Sequence, residues 1–228
     1  LLDSYAQFGD VRVRLVTFST HAAAQGSTWT DIATAKAQLA ALTANGGTNY
    51  DEALADAITA FDDPGSLANA QNVNYFFSDG LPTYGSGTTS ELAPAGQSPG
   101  TPAQNGTGTS QTGSDTGIQL AEEATWTSFL SANSINSFAV GFGAGIGDVT
   151  YLNPIAYDGQ TGSNTEGILV ANFSDLDRTL AETLPAISAS GDFISSGSLF
   201  GGSAFGGDGG YVRTLTIDGT IYTYDPAN

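Results

Sequence analysis

Asn74-Tyr75-Phe76-Phe77-Ser78-Asp79-Gly80 is the stretch that decides the fold. Its apolar run is near-continuous rather than alternating, which suits a strand covered on both faces, the usual state in a parallel sheet. Asp79-Gly80 then breaks the strand at its carboxyl end. In open α/β sheets that edge is where ligands sit. Asp79 is therefore the first candidate functional residue.

The flanking sequence supplies the rest of such a sheet. Leu1 to Phe8 reads as the end of a helix, stopped at Gly9. Val11 to Phe18 reads as a strand that first alternates, with Arg12 and Arg14 on one face, and then turns wholly apolar. Ala22 to Trp29 reads as a short edge strand, with His21, the single histidine, between the two. Asp31 to Leu42 has helical period, with Ile32, Ala35, Leu39 and Leu42 on one stripe, and Asn45-Gly46-Gly47 ends it. Tyr50 to Phe61 is a second helix, with Leu54, Ala57, Ile58 and Phe61 on one face, and Asp63-Pro64-Gly65 turns the chain into the strand already described.

Beyond Asp79 the character changes. Pro82 to Thr116 is rich in Gly, Ser, Thr, Pro, Gln and Asn and reads as a long loop with nothing to build a core from. Gly117 to Ala132 is a third helix, with Ile118, Ala121, Trp126 and Phe129 inward, and Ile135 to Phe142 another strand. A short helix is expected around Asp148 to Leu152, and Ile168 to Val170 is a short buried strand. Ser174 is expected to cap a last helix, with Leu176, Leu180 and Leu184 inward, Asp177 near the end that favours acids, and Pro185 closing it. Strand and helix alternate from residue 11 to 185, the pattern of a doubly wound, mostly parallel α/β sheet.

Net charge is −18, from 23 acidic against 5 basic residues. Such a chain repels polyanions, which argues against nucleic acid and anionic membrane surfaces as partners and leaves divalent cations as plausible ones. There is no cysteine, so disulfides and thiolate metal sites are excluded. No apolar run approaches the ~18 residues of a membrane span, and no signal peptide is visible. The chain begins Leu1-Leu2-Asp3 without Met and stops at Asn228 just after a strand-like run, so it is expected to be an excerpt of a longer polypeptide.

Gly46-Gly47-Thr48-Asn49-Tyr50-Asp51-Glu52 and Phe77-Ser78-Asp79-Gly80-Leu81-Pro82, each at a strand–helix junction and in this order, resemble the von Willebrand factor A-domain family. Leu15 to Ser19 is similar to that family's second strand, and Ala171 to Leu176 to the lead-in of its last helix. The resemblance covers roughly residues 1 to 187. It implies a metal-ion-dependent adhesion site in which Thr48 offers a hydroxyl and Asp79 a carboxylate to Mg2+ or Ca2+, hard ions that take oxygen donors. It also implies that an acidic group of a protein or glycan partner fills the open position, with no bond broken. The family's third arm, Asp-x-Ser-x-Ser at the end of a first central strand, is missing from the chain: Asp3-Ser4-Tyr5 does not fit it. The expectation is a Rossmann-like sheet lacking that central strand, between the Val11–Phe18 and Val73–Ser78 strands, and very weak metal binding by this chain alone.

The tail reads as separate. Residues 188–210 are a Gly/Ser-rich linker, and residues 211–228 begin a β-rich module whose strands, Tyr211 to Ile217 and Thr220 to Tyr224, flank the hairpin signal Asp218-Gly219. Phe205 to Val212, Thr216 to Gly219 and Tyr222 to Asp225 resemble the repeat modules of large type I-secreted RTX adhesins, although no GGxGxDxxx calcium repeat is present. That resemblance implies an extracellular, bacterial cell-surface protein acting in attachment or biofilm formation, flanked by further modules of the same polypeptide. Plainer readings stand beside these. Thr48 also suits a helix N-cap with Asp51 in the first turn, and Asp79-Gly80 an ordinary turn. His21 suits a surface loop, since no Ser or Cys nucleophile pattern accompanies it. Asp115, Asp148 and Asp158 suit solvated charges. A structural spacer with a vestigial site is the first alternative function. A metal-assisted hydrolase using Asp79 is weaker, because no general base can be named; the chain is not expected to be an enzyme.

Overall fold

The computed structural model describes residues 1–43, 45–83, 92, 109–111, 114–143, 145–185, 214–217 and 220–223. The chain divides into two compact units, Leu1–Leu184 and Pro185–Asn228. The first unit runs α1 (Leu2–Tyr5), β1 (Val16–Phe18), β2 (Ala22–Ala24), α2 (Ile32–Ala40), α3 (Tyr50–Phe61), β3 (Val73–Ser78), β4 (Thr109–Gln111), β5 (Ser114–Thr116), α4 (Leu120–Ala132), β6 (Asn136–Phe142), β7 (Tyr157–Asp158), β8 (Ser163–Asn164), β9 (Ile168–Val170) and α5 (Phe173–Glu182). The second unit holds β10 (Thr214–Ile217) and β11 (Thr220–Thr223), an antiparallel pair. Asp218-Gly219 and the linker lie outside the described residues.

The fold is mixed α/β. Its main sheet has five strands, centred on β6. β3 pairs with β6 in parallel from Val73↔Asn136 to Ser78↔Gly141. β6 also pairs in parallel with β9 at its carboxyl half, Val140↔Ile168 to Phe142↔Val170. At its amino half it pairs antiparallel with β7, which turns back into β8. β1 belongs to a separate two-stranded sheet with β2. The strand expected over Val11–Phe18 is thus shorter, reduced upstream to a bridge between Val13 and Thr30.

The strand period of two sorts side chains to the two faces. Phe76 and Ala139 join one core with Tyr50 and Leu54 of α3 and Trp126 and Leu130 of α4. Tyr75, Phe77 and Val140 join another with Leu176 and Leu180 of α5 and with Leu1. Helices therefore cover both faces of the sheet. Trp126 is buried and still satisfied, since its Nε1–H donates to the Ile155 carbonyl at 3.0 Å. Arg14 is not a surface charge: its guanidinium donates to Asp63 Oδ2 at 2.6 and 2.8 Å and to the carbonyls of Gln25 and Gly26.

Local chemistry fixes the helix ends. Asp31 caps α2, its carboxylate accepting from Thr34 N at 2.7 Å. Glu122 Oε2 accepts from Gln119 N at 2.6 Å at the start of α4. That helix ends in a Schellman arrangement: Ser134 N donates to Ser131 O, Ile135 N to Leu130 O, and Ser134 takes φ 51°. Both Leu130 and Ile135 are buried, so the cap also delivers β6 to the core.

Several expectations are corrected. Of the stripe read over Asp31 to Leu42 only Ala35 is buried; Leu39 and Leu42 are 45% and 48% exposed. Residues 148–155 form consecutive turns rather than a helix, with Leu152 N and Asn153 N both reaching Val149 O. The cap of α5 is Asn172, not Ser174, and the acid in its first turn is Asp175 rather than Asp177. The segment Pro82 to Thr116 is not wholly loop: β4 and β5 pair within it, and Leu92 is buried in the core. The rest of that segment lies outside the described residues. In β3 itself only Phe76 and Ser78 are buried, because the described sheet places it at an edge rather than between two strands.

Candidate functional site

Three chain segments meet at the carboxyl end of β3. The first is Ser19-Thr20, directly after β1. The second is Gly46-Gly47-Thr48-Asn49, which leads into α3. The third is Ser78-Asp79-Gly80, which continues to Thr83. Their contacts are backbone-centred and numerous. Gly47 N donates to Thr20 Oγ1 at 2.9 Å, and Asn49 N to Ser19 O at 2.9 Å. Thr48 and Thr83 exchange two bonds, Thr48 N to Thr83 Oγ1 at 2.9 Å and Thr83 N to Thr48 O at 2.8 Å. Tyr50 Oη–H donates to Gly80 O at 2.8 Å, and Ser78 Oγ–H donates to the same oxygen at 2.8 Å.

This stitching sets Thr48 beside Gly80, the residue after Asp79. A Cβ built on Gly80 would stand 3.6 Å from Thr48 Oγ1. Thr48 is half-buried and Asp79 exposed. Thr48 is not the cap of α3. Asn49 takes that role, its side chain accepting from Glu52 N at 3.2 Å. None of the described hydrogen bonds uses the Thr48 hydroxyl, whereas the backbone on both sides of it is committed.

Two glycines set the shape of the rim. Gly46 has φ 82°, and a Cβ there would lie 2.8 Å from Thr20 Oγ1. Only a residue without Cβ takes that backbone at that approach without strain. Gly145, in the loop after β6, lies so close over Asp79 that a Cβ would collide with the Asp79 carbonyl oxygen. Sequence reading singled out neither Gly145 nor the pair Ser19-Thr20. A hydroxyl pair directly after an apolar strand was the available signal for the latter.

Electrostatics beside the rim come from α3. His21 Nδ1 lies 3.2 Å from Glu52 Oε2, which also accepts from Asn49 Nδ2 at 3.2 Å. His21 is 82% exposed, in keeping with a surface loop, yet it leans on the helix that carries the cap. Burial, reinforced by the charge of Glu52, raises the Asp56 carboxyl above its usual range. Burial also pushes the Tyr50 hydroxyl up to about 12, with Ser78 opposing and the Asp79 charge adding to the rise. Asp51 is buried in the first turn of α3, as Glu122 and Glu123 are in that of α4, the end at which carboxylates are favoured. Away from the rim, Asp148 and Asp158 accept from backbone N–H groups two residues on, so both close turns. The Asp115 side chain lies outside the described residues.

The donor set meets a hard divalent ion only in part. Such ions take six or more oxygen ligands, waters included, and usually several protein groups. Thr48 and Asp79 supply one neutral and one anionic oxygen. Among the described residues no group of three or more His, Cys, Asp or Glu side chains is placed to hold a metal. Among them, too, no helix is long and apolar enough to cross a membrane. Comparison with protein-family models, with curated proteins and with solved structures finds no match for this chain.

Proposed function

We propose that the chain is the body of a ligand-binding module of the von Willebrand factor A type, set in a secreted bacterial surface adhesin of the RTX kind. Recognition runs through the rim at the carboxyl end of β3. Thr48 and Asp79 are two arms of a Mg2+ or Ca2+ site, and an acidic group of a protein or glycan partner is the ligand. The observation that carries this reading is the pinning of Thr48 beside Gly80 with its hydroxyl left out of the α3 cap. The bound ion would supply electrostatic attraction for the partner's carboxylate. The chain's own part is to fix the backbone that carries the two oxygens, and the bonds among Thr48, Thr83, Tyr50 and Gly80 support this reading.

The test is Asp79→Ala in the full polypeptide, scored by adhesion to a ligand-coated surface with magnesium and with chelator. Cation-dependent adhesion is expected to vanish while the circular dichroism spectrum is kept. Unchanged cation-dependent adhesion would sink the mechanism. A spacer with a vestigial site is the second reading, and it draws on the small number of acids at the rim. Isothermal titration of this chain alone is expected to show very weak calcium and magnesium binding. Micromolar or tighter binding would contradict the two-arm description.

A further inference from the structure

We propose that Asn45-Gly46 is a self-modification site, where the Asn45 side-chain amide converts through a cyclic imide to aspartate and isoaspartate. The chemistry needs an asparagine in water, a following residue without a Cβ, and a backbone N–H with no other duty. The asparagine side chain is short enough to fold back on the backbone that follows it. Asn45 and Gly46 are both exposed, and neither lies in a helix or strand. Among the described hydrogen bonds none uses Gly46 N, although Gly47 N, next along the chain, donates to Thr20 Oγ1 at 2.9 Å.

The other acid–glycine and amide–glycine pairs give the contrast. Aspartate forms the same imide, so Asp79-Gly80 and Asp158-Gly159 meet the sequence requirement. Gly159 N donates to Ile135 O at 3.0 Å, and a Cβ there would collide with backbone oxygens, so that peptide is held fast. The Asp158 carboxylate is itself engaged with Gln160 N and Thr161 N. Gly80 N donates to Ser78 Oγ at 3.4 Å, and Gly80 O accepts from Tyr50 and Ser78. Of these three pairs Asn45-Gly46 alone leaves the glycine N–H uncommitted. Asn105-Gly106 lies outside the described residues.

The step balances with water as the co-reactant. Gly46 N loses its proton and attacks Asn45 Cγ. The N–Cγ bond forms, the Cγ–Nδ2 bond breaks, and ammonia leaves with the proton. Water then opens the imide at one of its two carbonyls. Opening at Cγ leaves aspartate; opening at the backbone carbonyl leaves isoaspartate, whose chain runs through the former side chain. Either product adds a negative charge just ahead of Thr48, in a chain already at −18. Isoaspartate also lengthens the backbone by a methylene beside Gly46, which has no slack: its φ is 82° and a Cβ there would stand 2.8 Å from Thr20 Oγ1. The Gly47–Thr20 bond is the contact this disturbs. The modification stands apart from the cation reading, so either can fail alone.

The test ages the 228-residue chain in mildly alkaline buffer beside a free peptide of residues 42–50. Peptide mapping by mass spectrometry separates Asn45 from Asn105. The segment 42–50 is expected to gain about 1 Da, to carry both isoaspartate and aspartate, and to convert within about tenfold of the rate of the free peptide. The amide resonance of Gly47 is expected to shift with it. Asn45→Gln, whose longer side chain closes a larger ring with more difficulty, is expected to lose the mass gain at position 45 and to keep the circular dichroism spectrum. Asparagine still intact at position 45 once the free peptide has converted overturns the proposal. So does aspartate without isoaspartate, which would mean direct hydrolysis of the side-chain amide.

Discussion

Replacing Tyr50 by Phe removes one oxygen from a fully buried ring and probes how the rim is held. The lost bond is the one to Gly80 O, at 2.8 Å. A typical hydrogen bond contributes about 1 kcal/mol net. Gly80 O keeps the bond from Ser78 Oγ, so it is not orphaned. The cost at pH 7 is therefore expected in the lower range, about 0.5–1 kcal/mol. The pH dependence is the sharper test. Burial raises the Tyr50 hydroxyl from 10.0 to about 12. Between those values the unfolded chain has lost the proton and the folded chain holds it, so stability falls as pH rises. The contribution is whole below pH 10 and is lost on the way to pH 12, at about 1.4 kcal/mol per unit. Tyr50→Phe removes that slope. Tyr5, which is also raised, titrates in both proteins and cancels in the difference. Urea denaturation followed by circular dichroism at pH 7, 9, 10 and 11 is the assay. The variant is expected to be the less stable at pH 7 and equal or more stable by pH 11. A stability difference that stays constant from pH 7 to 11 would refute the reasoning.

Gly145→Ala places a Cβ against the Asp79 carbonyl, which is backbone and yields little. It is expected to cost about 1–3 kcal/mol and to shift the amide resonances of Asp79 and Gly80. Gly147→Ala, where nothing lies within 4 Å, is the control and is expected within about 0.5 kcal/mol of wild type in urea. Arg14→Met strips Asp63, Gln25 and Gly26 of their shared donor, and a loss of about 2–3 kcal/mol in urea titration is expected. Ser134→Gly relieves a non-glycine residue at φ 51° in the cap of α4, and thermal unfolding is expected to show a gain of up to about 1 kcal/mol.

Where a segment carried both its period and its stop signals, the sequence was legible. Tyr50–Phe61 has the expected bounds because its apolar face, acidic first turn and following Asp63-Pro64-Gly65 turn agree. Ile168–Val170 and the β10–β11 pair were readable for the same reason. Reading failed where two residues compete for one role or where strands lack apolar alternation. Thr48 and Asn49 are both good caps, and only the backbone conformation decides that Asn49 is used. β4 and β5 are built of Ser, Thr, Gln and Asp, so no hydrophobic pattern announces them. Asp51 is legible as a first-turn acid, but no local signal announces that it and Glu122 are fully buried in their helix first turns. Thr48 and Asp79 read as a pair from sequence, and the structure sets Thr48 beside Gly80, the residue after Asp79; the contacts that fix these segments, from Thr83, Tyr50 and Gly145, are long-range with no local signature.

The rim depends on one strand, β3. Asp79 follows directly on β3, so its position is only as fixed as β3 is. On the rim side the backbone is secured by the bonds from Tyr50, Ser78 and Thr83. Along the strand, one edge is secured by β6. Segments with fewer buried contacts open at lower free energy than the global transition. A preorganised oxygen pair needs its supporting elements locked. Loss of the Tyr50 bond therefore loosens the segment that carries Asp79. That perturbation acts on the carboxylate without touching it.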